Sequence, residues 1–514
     1  MVPKGRLHPP FRCRISFLTN MSKFILYQLL VRVMGERRWT PGGDYSTNGS
    51  GKFNDITSDY LKQIKDDLSL GAIWYTGVLA HSTATSFEGF PADCPAIVKG
   101  KAGSPYAVRD YYDVAPELAV DTPRRLDEFK ALIKRTHDAG LKVVIDFIPN
   151  HVARSYHSSK NDFTQANFFP LDGPLELPYN IAGHELYKED PALATGNDCF
   201  SRHPGITDWY DTVKLNYNYR MTWDKMLDIL LYWAGMGVDG FRCDMVELVT
   251  EEFFEWAIRN VRKEYPGTFF IAEVYDKKNY IKYSDAGFDY LYDKTGFYDA
   301  LKAISTNREP AYWLTDEWQF LGGLQPKMLN FLENHDEQRI ASDYFLGDGR
   351  RGFAPLAVSM LFNKAPFMIY SGQEYGERGM ACEGFSGRDG RTSIFDYCAL
   401  TYYDNPPGIR EAIHERYHAL AALAVSDVFA KGGTYDLMYA NPSCGHFDAQ
   451  RVFTFMRGYN GRTALVAANF SDSIKHIKIS IPKDAYDYFG VDRVPEFEEP
   501  MILEPFDYIV LLSE

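Results

Sequence analysis

Eight short apolar runs, at residues 25–30, 72–79, 143–149, 238–246, 269–275, 288–292, 328–335 and 366–371, each close on polar residues. Between several of them apolar residues return every three or four places. Met226, Leu227, Leu230, Leu231 and Ala234 share one face, which predicts an amphipathic helix. Buried strands alternating with helices predict an α/β fold, a (β/α)8 TIM barrel, with a doubly wound parallel sheet as the alternative. The spacing breaks once, after the third run. Residues 152–222 are rich in Asn, Asp, Pro and Tyr and lack sustained helical periodicity, so they read as an inserted domain. Beyond Lys431-Gly432-Gly433 the period changes. Alternating runs at 452–456, 464–468, 477–481 and 508–512 predict strands, and Asn460-Gly461 marks a hairpin turn. Residues 432–514 are therefore expected to form a separate antiparallel β domain, with 21–151 and 223–431 making the barrel.

Residues 1–20 carry Lys4, Arg6, Arg12 and Arg14 but no apolar run of signal-peptide length. They read as a disordered leader or an upstream start before Met21. A length of 514 residues suits two or three domains. Lys and Arg number 55 against 69 Asp and Glu, a formal net charge of −14. That balance, without a basic run, disfavours nucleic acid and anionic membrane as partners. No run approaches the roughly 20 apolar residues of a membrane helix. The seven cysteines are scattered and contain no CxxC pair, which suits reduced thiols in a cytoplasmic protein. Aromatic residues make up 15% of the chain, a supply of flat rings that suits stacking on sugars as well as core packing.

In such a barrel the site lies at the C-terminal ends of the strands. Four of the runs end in chemistry: Asp146 to His151, Arg242 with Asp244, Glu273, and Glu333-Asn334-His335-Asp336. So many ionisable groups on four strand ends exceed what structure alone needs, because buried charge is costly without partners. Glycosidic cleavage wants this set. One protonated carboxyl donates to the leaving oxygen, an ionised one attacks or activates water, and a third holds hydroxyls and repels like charge. Arg242, two residues before Asp244 on a strand, points the same way and can hold that carboxylate ionised. Cys243 points oppositely and reads as a core thiol.

The chain resembles glycoside hydrolase family 13, the α-amylase family, over nearly everything after Met21. The resemblance rests on Asp146 to His151, Gly240 to Asp244, Glu273 within Ile271–Val274, Glu333 to Asp336, and the stretches 105–114 and 370–374. It implies Asp244 as the nucleophile, Glu273 as general acid/base and Asp336 as transition-state stabiliser. It further implies that His151 and His335 bind sugar hydroxyls, that Tyr106 stacks on the sugar ring, and that the C-terminal domain is a β-sandwich. Lys214 to Tyr217 is a weaker match to a fifth family stretch. Asn150 matches a calcium ligand of many relatives, so calcium is a candidate cofactor although none is required. Residues 48–52 resemble a second calcium loop, but Ser50 and Lys52 favour a plain turn. Asp146, and with it Asp110, is expected to orient neighbours.

The sequence departs from the family at Met245, which leaves the linkage open, and at Glu247 and Leu248, where Lys-His is common. Glu247 is expected at the edge of the acceptor subsites, offering acceptors to short oligosaccharides. The expected activity is retaining hydrolysis of α-glucosidic bonds in maltooligosaccharides and α-glucans. The alternatives are a transglycosylase, sugar isomerase or phosphorylase using the same intermediate, or a non-catalytic carbohydrate binder. Oligomeric state is not legible.

Overall fold

The computed structural model describes residues 23–158, 160–177, 187–385, 387–492 and 500–513. The leader read at 1–20 lies outside the described residues. Eight parallel strands close a barrel: β1 (Ile25–Leu30), β2 (Leu70–Thr76), β3 (Lys142–Phe147), β4 (Gly240–Cys243), β5 (Phe269–Ala272), β6 (Tyr290–Tyr292), β7 (Met328–Phe331) and β8 (Phe367–Tyr370). Each strand pairs with its neighbours in sequence, and β8 closes on β1 with Ile25 opposite Phe367. All eight apolar runs supply a barrel strand, and the doubly wound alternative is set aside. Helices α1 (Ser58–Leu68), α2 (Arg125–Asp138), α3 (Arg220–Gly235), α4 (Glu251–Glu264) and α5 (Tyr280–Asp285) fill successive crossovers. Two helices, α6 (Asp299–Ser305) and α7 (Trp313–Leu321), share the next one. Then come α8 (Phe353–Leu361) and, after β8, α9 (Pro407–Ala424).

Strand alternation sorts the side chains into two layers. Leu26, Trp74, Val144, Ile271, Tyr292, Leu329 and Met368 pack with one another inside the barrel. Ile25, Tyr27, Ile73, Val143, Phe241, Cys243, Phe270 and Ile369 belong to the larger cluster beneath the helices. Asp146, Arg242, Asp244 and Glu273 share the parity of the inner set. Cys243 does not, and it is a buried core thiol as expected.

Between β3 and α3 the chain leaves the barrel on a ribbon, His151–Ala153 against Thr212–Lys214. Beyond it, four antiparallel strands form a sheet in the order β9 (Gly433–Asp436), β10 (Val452–Tyr459), β11 (Arg462–Asn469), β12 (Tyr508–Leu512). The β10–β11 turn is Asn460-Gly461, with φ +49° and +78°, the left-handed pair that a two-residue hairpin requires. The run at 477–481 yields only the end of a short strand, Lys475–Ile477, paired with Met501–Leu503. Further along, the Ser480 N–H is taken by Asn441 Oδ1 at 2.7 Å, so it serves no ladder. Arg457 on β10 binds this sheet to the barrel layer, donating to the carbonyls of Leu361, Phe429 and Gly432 at 2.5, 2.8 and 2.8 Å.

Candidate active site

Asp244 and Glu273 each stand one residue past a strand, and their backbones continue the ladder. Asp244 N donates to Phe147 O at 2.8 Å and Glu273 N to Cys243 O at 3.1 Å. Arg242, fully buried, lies between them. Its Nη1 is 2.7 Å from Asp244 Oδ1 and 3.5 Å from Asp146 Oδ1, and its Nη2 is 2.6 Å from Glu273 Oε1. The guanidinium also sits 5.2–5.5 Å from the rings of Trp74, Tyr106 and Tyr292.

Burial pushes Asp244 well above the usual carboxylate range, Glu273 adds like charge, and Arg242 opposes both. Asp336 is raised for the same two reasons, burial first and Glu273 second. Asp146 is pushed up to about 6 by burial, against Arg242 and the Gly77 N–H. These groups titrate as a set, and one cation does not carry them all as anions. That surplus of carboxyls over cations favours keeping a proton within the cluster. A donor and a nucleophile side by side need that state.

His335 is stacked on Tyr106, ring centroids 4.9 Å apart and 15° from parallel. Burial and Arg242 hold its imidazole neutral. With Nδ1 accepting from Gln28 Nε2 at 2.8 Å, its Nε2 donates to Asp336 Oδ2 at 3.0 Å. Both nitrogens are thus engaged within the protein, and His335 here orients Asp336. Asn334 Oδ1 takes the N–H groups of Asp336 and Glu337 at 2.8 and 2.9 Å, while Arg391 Nε donates to Asp336 O at 2.6 Å. His151 is buried beside Trp209, with its pKa lowered to about 3 by burial and by Lys214 and Lys99. Tyr106 donates its hydroxyl to Asp146 at 3.3 Å.

A family model described as the catalytic domain of alpha amylase matches residues 43–405. The chain belongs to the α-amylase family. Alpha-amylase MalA of Haloarcula japonica is 26% identical over 371 residues, 69% of this chain and 44% of that protein. A cyclomaltodextrin glucanotransferase of Geobacillus stearothermophilus is 23% identical over 382 residues, 69% of this chain and 50% of that one. The chain thus spans about half the length of these curated relatives. The ligand-free structure of cyclic α-maltosyl-(1→6)-maltose hydrolase from Arthrobacter globiformis shares the fold with a TM-score of 0.67 at 18% identity, covering 96% of this chain and 98% of that one. An α-amylase from Lactobacillus plantarum gives 0.63 at 19%, covering 96% and 99%.

Against that family background, Asn150 and Glu247, like His335 above, stand otherwise than the sequence suggested. Asn150 does not offer calcium a site. Its Oδ1 accepts from Lys214 Nζ at 2.9 Å and its Nδ2 donates to Gly196 O at 2.6 Å. The same ammonium lies 3.3 Å from Leu248 O and pairs with Asp198. Three oxygens from three segments already hold a cation that the chain supplies, and calcium would be repelled by it. Among the described residues no group of three or more His, Cys, Asp and Glu is placed to hold a metal ion.

Glu247 turns from the expected acceptor position into its own chain. Its oxygens accept from Tyr275 N, Asp276 N and Asn279 Nδ2 at 2.8, 3.2 and 2.6 Å. The short-chain preference drawn from its free acceptors loses its basis. Asp110 accepts from Tyr112 N at 2.9 Å, on the strand Val108–Val114 that pairs with Leu79–His81, outside the carboxylate cluster. In the loop at 48–52, Asn48 bridges Thr40 and Tyr397.

Sequence reasoning passed over Gln28, Tyr275, Tyr292 and Arg391. Gln28, Tyr275 and Tyr292 carry the inner parity of β1, β5 and β6, so alternation could have found them. Arg391 comes from a long irregular segment after β8 and had no such signal.

Met245, next to Asp244, has φ +43°, a left-handed conformation that costs a non-glycine residue about 1–2 kcal/mol. Its strained N–H donates to Glu273 Oε2 at 2.7 Å. The bend aims a fixed donor at a carboxyl two strands' ends must share.

Proposed function

We propose that this chain is a retaining glycoside hydrolase that cleaves α-glucosidic bonds in maltooligosaccharides and related α-glucans. The observation that carries the reading is one guanidinium gripping both Asp244 and Glu273, which keeps the two carboxyls close, as a double-displacement mechanism needs. In the first half, Glu273 gives its proton to the glycosidic oxygen while an Asp244 oxygen bonds to the anomeric carbon. The leaving sugar departs as an alcohol. In the second half, Glu273 takes a proton from water, which attacks the anomeric carbon and frees Asp244. Asp336, aimed by His335, Asn334 and Arg391, faces the positive charge that develops on the ring. Tyr106 and the neutral imidazole of His151 are the sugar-contacting groups.

No helix among the described residues is long and apolar enough to cross a membrane. The seven scattered cysteines without a CxxC pair support a reducing, cytoplasmic setting. A glucanotransferase among the relatives makes a sugar acceptor the second reading. The test is hydrolysis of maltoheptaose followed by proton NMR. The expected first product is the α-anomer, with smaller maltooligosaccharides accumulating. Initial β-anomer would overturn the retaining reading. Products longer than the substrate would transfer the assignment to transglycosylation.

A further inference from the structure

Glu247 directs its carboxylate to the two residues that follow Glu273-Val274. It takes the N–H of Tyr275 and of Asp276 and is braced by Asn279. From the other side, Thr295 Oγ1 donates to Tyr275 O at 2.5 Å. So clamped, Tyr275 stands half-buried at the cleft with its hydroxyl 2.9 Å from Glu273 Oε1. Burial and the carboxylates of Glu273 and Asp336 keep that phenol protonated, so it donates.

Both oxygens of Glu273 meet donors. Oε2 takes the Met245 N–H at 2.7 Å, and Oε1 faces the Tyr275 hydroxyl at 2.9 Å with Arg242 Nη2 2.6 Å away. These donors all favour the ionised carboxylate. When Glu273 has given up its proton, the Tyr275 hydroxyl donates to the carboxylate left behind. While Glu273 carries its proton, the same hydroxyl meets a weaker acceptor. Tyr275 thus favours the state that follows proton donation, which is the differential interaction that speeds a step.

We propose that Glu247 is a positioning residue for proton transfer, setting the Tyr275 backbone so that its hydroxyl orients Oε1 of Glu273 and stabilises the carboxylate formed there. This rests on Glu273 being the acid/base of a retaining glycosidase. The proton moves from Glu273 to the glycosidic oxygen as the anomeric C–O bond breaks. It is replaced from water in the second half, and Tyr275 keeps its own proton throughout. The other groups facing Glu273 are Arg242 and Asp244 from the β4 end, Tyr292 from β6 and Asp336 from beyond β7.

The experiment compares Glu247→Gln, Tyr275→Phe and the double variant on two donors, maltoheptaose and α-maltosyl fluoride. Fluoride leaves with little help from an acid. For each single variant the expected result is a roughly 10–100-fold fall in kcat on maltoheptaose, KM within about twofold, and less than about a threefold fall on the fluoride. The double variant should be no worse than Tyr275→Phe, because the two residues act through one hydrogen bond. The alkaline limb of kcat/KM should move in both single variants. Equal losses on the two donors would mean a purely structural role and overturn the proposal. So would a raised KM with kcat unchanged, which would return Glu247 to the sugar, or fully additive losses. Should Glu247→Gln not fold, Tyr275→Phe carries the same donor test. If the parent enzyme turns over neither donor, the glycosidase reading has failed rather than this one.

Discussion

Two arginines are buried at the same end of the barrel, and their surroundings differ in one respect. Arg339 is matched. Its Nη1 donates to Glu333 Oε2 at 2.9 Å, Nε to Thr392 at 3.0 Å and Nη2 to Ser371 O at 3.0 Å, and it lies over the Tyr370 ring at 3.8 Å. The second oxygen of Glu333 takes the Ile340 N–H at 2.6 Å. Burial pushes Glu333 up to about 7 and the charge of Glu377 adds to it, while Arg339 and that N–H oppose it. Arg242 is outnumbered, facing Asp146, Asp244 and Glu273 together. A matched pair closes a strand end and asks nothing more of its neighbours. An excess of carboxyls over cations leaves a proton in play, which has no structural use but is what an acid and a nucleophile need. Arg242 lies within Gly240 to Asp244 and Arg339 three residues beyond Glu333 to Asp336, stretches that look equally chemical in the sequence. Charge balance separates them.

The largest expected effect breaks the comparison on the outnumbered side. Asp244→Asn should cut turnover by more than about 10³-fold while leaving the fold intact, because it removes the nucleophile and one surplus charge at once. Unfolding in urea should show a midpoint equal to or above the parent's. Near-normal turnover would sink both the nucleophile assignment and the reading of surplus charge as a mark of chemistry.

On the matched side the cost should fall on stability. Glu333→Leu leaves the Arg339 guanidinium buried without its counter-ion, and breaking such a pair costs about 3–5 kcal/mol. Urea unfolding should register that loss, while kcat per folded molecule stays near the parent's. A variant as stable as the parent with kcat abolished would place Glu333 among the reacting groups and dissolve the contrast.

How much of this was open to sequence reading follows from locality. The barrel strands were legible because burial on both faces makes continuous apolar runs, and the carboxyls were legible because alternation from those runs fixes their parity. The stretch 477–481 misled because alternation shows that a strand is possible but not what captures its N–H groups, and Asn441 lies 39 residues away from Ser480. Glu247 misled for a related reason. Its partners are on the next crossover, and the sequence position alone set it facing sugar. Lys214 was seen only as a weak motif match, because an ammonium standing where a metal was expected is a fact about three distant segments.

Lys214 is a third kind of buried cation, bolting the excursion to the barrel. Lys214→Met should leave Asn150 Oδ1 and Leu248 O without their donor, at about 1–3 kcal/mol, with the exposed part of the Asp198 pair adding little. Thermal unfolding with and without EDTA is the companion measurement. The parent Tm should not change on chelation. A fall of several degrees that calcium restores would show that a metal, not Lys214, holds this junction.

The smallest effect sharpens the comparison by taking the cation away altogether. Glu374, just past β8, is buried with no salt-bridge partner among the described residues, and Tyr27 donates to its Oε1 at 2.6 Å. Burial pushes it up to about 7, opposed by that hydroxyl. An ordinary unfolded Glu titrates near 4.3. Its contribution to stability is therefore fully present below about 4.3, and it is lost as the pH rises through about 7. Between those values the slope for one such group is at most about 1.4 kcal/mol per pH unit. Other raised carboxyls, Asp146 and Asp293 among them, tilt the curve the same way, so the parent's profile alone decides nothing. Glu374→Gln keeps the shape and removes the proton. The parent should lose stability from pH 5 to pH 8 by on the order of 1 kcal/mol more than this variant. Parallel urea profiles for the two proteins would mean that Glu374 ionises in place without penalty, and that a carboxyl at this end of the barrel can do without either a cation or its proton.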